Sequence, residues 1–214
     1  MSRSLFRGKG YLTDGLVGNE SKVRDELERM PAEQIAKASV ETLTSKHSVE
    51  PLVLDIDSLK RTLENIKIDV SNDLLRGGGR GRGRIETDGL RLIWTVPYQG
   101  DSDLWDFTPS THSLSFPHGE VSRTRSGLSG KLVISAEVPS DGPEGELAKR
   151  LNDQCEKSLS DISKYIERST ADVEGFNARL PQIIESIVDT RSVALEKTDR
   201  LASALGADFV ERME

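Results

Sequence analysis

Apolar residues recur along this chain in two periods, helical and alternating, and the switches between them mark its organisation. Residues 19–47 follow a helical period in two pieces. Asn19 is placed to cap the first, ahead of Val23, Leu27 and Met30. Pro31 suits the first turn of the second, which carries Ile35, Ala38 and Leu43 on one side. Pro51-Leu52-Val53-Leu54 is short and apolar, and a helical turn is read through Leu59 and Leu63. Ile66, Ile68 and Val70 then alternate with Lys67 and Asp69, as in a half-buried strand. Residues 71–84 break every periodicity, and Arg76-Gly77-Gly78-Gly79-Arg80-Gly81-Arg82-Gly83-Arg84 holds five glycines in nine positions, the mark of a flexible loop or linker.

The clearest strand follows: Leu90, Leu92, Trp94, Val96 and Tyr98 are apolar at successive even positions, with Arg91 and Thr95 facing the other way. Leu114 and Phe116 alternate with Ser113 and Ser115, and Leu132, Ile134, Ala136 and Val138 form a third run. Ser126 and Gly127–Gly130 read as the turn joining Val121–Thr124 to that run. After Pro143 the period becomes helical to Leu205-Gly206, with Leu147, Leu151, Cys155, Leu159, Ile162, Ile166, Val173, Phe176, Leu180, Ile183 and Ile187 on a near-heptad stripe that continues to Ala194, Leu201 and Leu205. Gly175 and Pro181 interrupt it, and Asn177 is placed to cap a new helix with Pro181 in its first turn.

These patterns predict an α+β fold: an antiparallel sheet of about four to six strands, drawn from segments near residues 50, 66, 90, 114 and 132, packed with N-terminal helices and a C-terminal helical hairpin or kinked long helix. The segments are 1–70 (helices and first strands), 71–86 (the Arg/Gly-rich loop or linker), 87–140 (the sheet), 141–206 (the helical hairpin) and 207–214 (a tail). The stripe runs for roughly eight turns, more than a hairpin hides against itself unless the sheet covers it. A homodimer through the C-terminal helices is therefore expected, with Leu159, Ile162, Ile166 and Ile183 as contacts; a wholly intramolecular core is the alternative.

Composition narrows the class. The chain has 214 residues, 30% of them charged, with a net charge of −7. No stretch approaches the ~20 apolar residues needed to cross a bilayer, and the first residues lack the apolar core of a signal peptide. A cytoplasmic protein without membrane association is expected. Cys155 is the single cysteine, so an intrachain disulfide is excluded, and its acidic neighbours Asp153 and Glu156 do not favour a thiolate.

Candidate chemistry is sparse. Arg76, Arg80, Arg82 and Arg84 on glycine can fold around phosphates and release counterions, which makes the run a candidate nucleic-acid site; its alternative is a solvated connection. Phosphate-loop patterns fail, because Gly130-Lys131 is followed by Leu132 and the Arg/Gly run does not supply G-x-G-x-x-G. Asp101 and Asp103 with His112 downstream form a candidate metal or acid-base site, against the reading that Asp101 and Asp103 hydrogen-bond a tight loop after Gly100 and that Asp106 and Thr108 cap local turns. Ser110 beside His112 suggests a nucleophile and base only if an acid stands behind the imidazole. No catalytic residue or cofactor is assigned, and an enzyme is not expected; a small metal-dependent hydrolase centred on Asp101, Asp103 and His112 is the second alternative, after a nucleic-acid-binding accessory.

Val96-Pro97-Tyr98-x-Gly100-Asp101-x-x-Leu104-Trp105-x-x-x-Pro109-Ser110-Thr111, followed by Pro117-x-Gly119-Glu120-Val121, resembles an uncharacterised bacterial module. Val49-Glu50-Pro51-Leu52 resembles its opening, and Tyr165-Ile166, Asp172-Val173-Glu174-x-Phe176-Asn177-x-x-Leu180-Pro181 and Ala204-Leu205-Gly206 resemble its helical portion. Such modules commonly precede a TIR or restriction-endonuclease-like effector in proteins of bacterial immunity. The resemblance implies a sensor, scaffold or oligomerisation role in antiphage defence and carries over no catalytic residue. The chain ends eight residues after Gly206 with no effector attached, so the effector is expected on another chain or in a removed portion.

Overall fold

The computed structural model describes residues 3–71 and 85–206. The elements run β1 (Arg3–Ser4), α1 (Leu12–Arg29), α2 (Ala32–Lys37), α3 (Val40–His47), β2 (Val53–Leu54), β3 (Lys60–Asp69), β4 (Glu86–Gln99), a 3-10 turn (Ser102–Asp106), β5 (His118–Arg123), β6 (Ser129–Pro139) and α4 (Glu144–Leu205). The fold is α+β, with an antiparallel sheet ordered β1-β5-β6-β4-β2 and β3 paired to β4.

The even-position alternation puts β4 at the centre. Leu90, Leu92, Trp94 and Val96 lie opposite Val138, Ala136, Ile134 and Leu132 of β6. Because antiparallel partners point to the same side, the two apolar rows form one continuous face, and the first half of α4 covers it with Leu147, Leu151, Cys155 and Ile162. The β5–β6 turn forms as its glycines predict, with the Thr124 amide donating to Ser129 O at 3.0 Å and Gly127 at φ +72°. Strand β3 is a sheet edge and α4 does not cover it, so Arg61 lays its guanidinium over the Trp94 ring at 4.9 Å instead.

Beyond the sheet the stripe of α4 changes partner. Val173, Phe176, Leu180, Ile184 and Ile187 are buried with Leu12, Leu16, Val23 and Leu27 of α1, and with Leu43 of α3. Each such side chain withdrawn from water contributes roughly 1.5–3 kcal/mol. Arg191 of α4 donates to the Leu27 and Glu28 carbonyls, satisfying acceptors that the end of α1 leaves open. One core therefore runs from Leu5 to Ile187 among the described residues.

Several expectations are corrected. The C-terminal region is one uninterrupted helix of 62 residues with Pro181 inside it, and not a hairpin. Asn177 caps nothing; it lies within α4, and Asn19 lies within α1. The helix read over Pro31–His47 breaks at Ala38-Ser39 into α2 and α3. Leu59-Leu63 belongs to the approach and start of β3, and no helical turn forms there. No strand forms at Leu114-Phe116, where Leu114 is fully exposed; the strand begins at His118. Sequence periodicity also missed β1, which pairs Arg3 with Gly119.

Candidate functional site

The segment after β4 is fixed by backbone geometry. Gly100 sits at φ +104°, and a Cβ there would overlap the Pro51 carbonyl. Its amide donates to Leu128 O, and that of Asp101 to Glu50 O, both at 2.9 Å. The Asp101 carboxylate then accepts from the Asp103 amide at 2.9 Å and starts the 3-10 turn. That turn drives Trp105 fully into the core, 5.3 Å from the rings of Phe6 and Tyr98.

Asp106 follows, with its side chain only 12% exposed and joined to Arg3 at 2.8 Å and Arg123 at 2.6 Å. It does not cap a local turn, as the sequence suggested; it clamps β1 and β5 to the turn. Burial pushes its carboxyl up, and the hydrogen bonds from Arg123 and Arg3 together outweigh burial and hold it below the usual aspartate range. Asp103 is paired with Lys9 and Arg123, each at 3.0 Å.

Residues 108–117 cross α4 as a strap. Thr108 Oγ1 donates to the carbonyl of Phe6 at 2.7 Å, and Ser110 donates from its amide and hydroxyl to the two oxygens of Asp172 at 2.8 and 2.6 Å. The Tyr165 hydroxyl lies 3.0 Å from the carbonyls of both Ser113 and Ser115 and shares its one proton between them. Phe6 adopts φ +57°, a left-handed conformation costly for an aromatic residue, and stacks on Tyr165 at 5.2 Å.

The candidate metal residues are thus dispersed in role. Asp101 and Asp103 share the 3-10 turn, whereas His112 stands on the strap between the rings of Tyr11, at 5.8 Å, and Phe116, at 6.0 Å. Among the described residues no group of three or more histidine, cysteine, aspartate or glutamate side chains is placed to hold a metal. The acid near Ser110 is Asp172 on its own hydroxyl, and not behind the His112 imidazole. Arg76, Arg80, Arg82 and Arg84 lie outside the described residues; the flanking residues are joined by the Val70 amide donating to Ile85 O at 2.9 Å.

Of the expected dimer contacts, Ile162 and Ile166 are buried in the chain's own core and are not available to a partner. Leu159 and Ile183 are partly buried against that core, and the stripe passes through Ile184, which is fully buried. Cys155 is buried beneath β4, and burial raises its thiol pKa.

The strap and α4 enclose a groove of about 490 Å³. Its helix wall presents Ser158, Asp161, Tyr165 and Arg168, spaced three, four and three residues apart on one face of α4; its strap wall presents Ser115, Phe116 and His118. Sequence reasoning passed over this site because Tyr165 and Arg168 read as part of an ordinary amphipathic helix. The spacing alone was a signal, but nothing local said that the strap lies over it. Compared with known proteins, the chain matches no family model, no curated protein and no solved structure.

Proposed function

We propose that this chain is a non-enzymatic interaction module that self-associates through the end of α4 and serves as the sensing or scaffolding part of a bacterial defence system, acting with a TIR or nuclease effector. The observation that carries the interaction role is the length of α4. Ile187 is its last buried residue, yet the helix continues to Leu205, a run of about 27 Å at ~1.5 Å per residue. The buried row Leu180, Ile184, Ile187 continues in the same three-and-four spacing through Arg191, Ala194, Thr198, Leu201 and Leu205. Leu201 and Leu205 on that row are 55% and 78% exposed. The face that α1 covers lower down is thus bare where α1 has ended at Arg29. A second copy presenting the same helix completes a two-stranded seam.

The effector and the defence setting rest on the module resemblance, which spans residues that meet in the fold: Glu50 with Asp101, Ser110 with Asp172 and Val49 with Asn177.

Sedimentation equilibrium of the full chain at micromolar concentration tests the module. A dimer is expected, reduced to a monomer by Leu201→Glu with Leu205→Glu. A species that stays at 23.6 kDa as concentration rises overturns it. The competing reading, nucleic-acid binding by Arg76, Arg80, Arg82 and Arg84, rests on composition alone. It predicts affinity for DNA or RNA that falls steeply with salt.

A further inference from the structure

We propose that the groove between the strap and α4 binds a small organic phosphate, with Arg168 as the main anchor. The charge pattern comes first. On a chain of net charge −7, Arg168 makes no ion pair among the described residues, and neither does Arg7. Each guanidinium instead lies over a ring, Arg168 over Tyr165 at 5.5 Å and Arg7 over Phe116 at 5.4 Å, and the two rings are themselves 5.8 Å apart. Stacking on a ring leaves the guanidinium edge, with its fork of N–H donors, free for an oxyanion.

The rest of the groove matches that ligand. Its one carboxylate, Asp161, is engaged by Lys164 at 3.1 Å, which keeps a second cation beside Arg168. The hydroxyls of Ser115 and Ser158 make no hydrogen bond among the described residues and are available as donors. Phe116 and Pro117 supply an apolar wall for the body of the molecule. About 490 Å³ falls within the range of small-molecule sites, roughly 300–1,000 Å³.

The walls are held in place before any ligand arrives. Tyr165 is locked by the two strap carbonyls, Ser110 by Asp172, and the left-handed Phe6 presses its ring on Tyr165. A backbone outlier that fixes a ring of such a groove is the kind of strain that binding sites retain. The planar fork of Arg168 can take two oxygens of a phosphate at once through parallel N–H···O bonds.

Isothermal titration of the full chain with AMP, ribose 5-phosphate, inorganic phosphate and adenosine tests the proposal and separates a nucleotide from a sugar phosphate or the free anion. The phosphorylated probes are expected to bind and adenosine is not. Arg168→Gln should weaken binding about tenfold, the size of one lost charge-assisted contact, with Arg168→Lys between the two. Ser158→Asp places a negative charge in the groove on a partly exposed helix position and should abolish binding with an unchanged circular dichroism spectrum, so a folding defect in the arginine variants leaves the test intact. Adenosine binding as well as AMP, phosphate probes that do not bind at millimolar concentration, or affinities that Arg168→Gln and Ser158→Asp leave unmoved each overturn it. Since none of these readouts depends on self-association, failure here is distinct from failure of the dimer.

Discussion

The side-chain amide of Asn177 closes on both backbone groups of Val49: its oxygen accepts from the Val49 amide at 3.1 Å and its nitrogen donates to the Val49 carbonyl at 2.8 Å. The pair joins the middle of α4 to the segment entering β2, and it stands four residues before Pro181, which has no N–H to give the Asn177 carbonyl. Asn177→Ala should cost about 1–3 kcal/mol by stranding two partly buried backbone groups. Asn177→Asp keeps the acceptor but turns an oxygen toward the Val49 carbonyl, so it should be at least as damaging. Urea unfolding of the two variants checks this; an Asp variant as stable as wild type would sink the bidentate contact.

Gly100 and Gly175 are opposites. A Cβ at Gly100 meets the Pro51 carbonyl at φ +104°, whereas at Gly175, in mid-helix, it meets nothing within 4 Å. Gly100→Ala should therefore destabilise by about 2 kcal/mol or more. Gly175→Ala should stabilise by roughly 0.5–1 kcal/mol through helix propensity. Thermal unfolding of both variants should move in opposite directions.

Asp106 gives the stability a pH dependence of known sign. Its folded-state carboxyl is held below the ordinary value by Arg123 and Arg3 against the opposing pull of burial. The unfolded chain consequently takes up a proton near pH ~4 that the folded chain still refuses. The stabilisation is fully present above that range and is lost as pH falls through the depressed folded value. Asp106→Asn should be less stable than wild type at neutral pH, with the gap closing below about pH 4. A gap that is independent of pH down to acid unfolding contradicts the assignment.

Cys155 is fully buried, and burial keeps its thiol protonated. A disulfide reagent should leave it unmodified in native buffer and titrate one thiol per chain in denaturant. Modification in native buffer faster than unfolding would show that the first half of α4 lifts off the sheet.

The sequence by itself determined what rests on neighbours along the chain. The even-position row of β4, the matching row of β6, the glycine turn between β5 and β6 and the stripe of α4 are all local periods, and each forms as its pattern requires. The tertiary structure decided what depends on partners far away. Alternating Ser113, Leu114, Ser115 and Phe116 has the pattern of a strand, but Tyr165 takes two of its carbonyls and no neighbouring strand takes the rest, so it becomes a strap. Pro181 looks like a break, yet the stripe is covered on both sides of it by α1 and α3, and the burial of Phe176, Leu180 and Ile184 outweighs one missing hydrogen bond. Asp101 and His112 are close in sequence but are claimed by different structures, a turn and an aromatic stack. Periodicity records which face of an element is apolar; only the folded chain fixes what lies against that face, because hydrogen-bond and packing partners fifty or more residues apart leave no local trace.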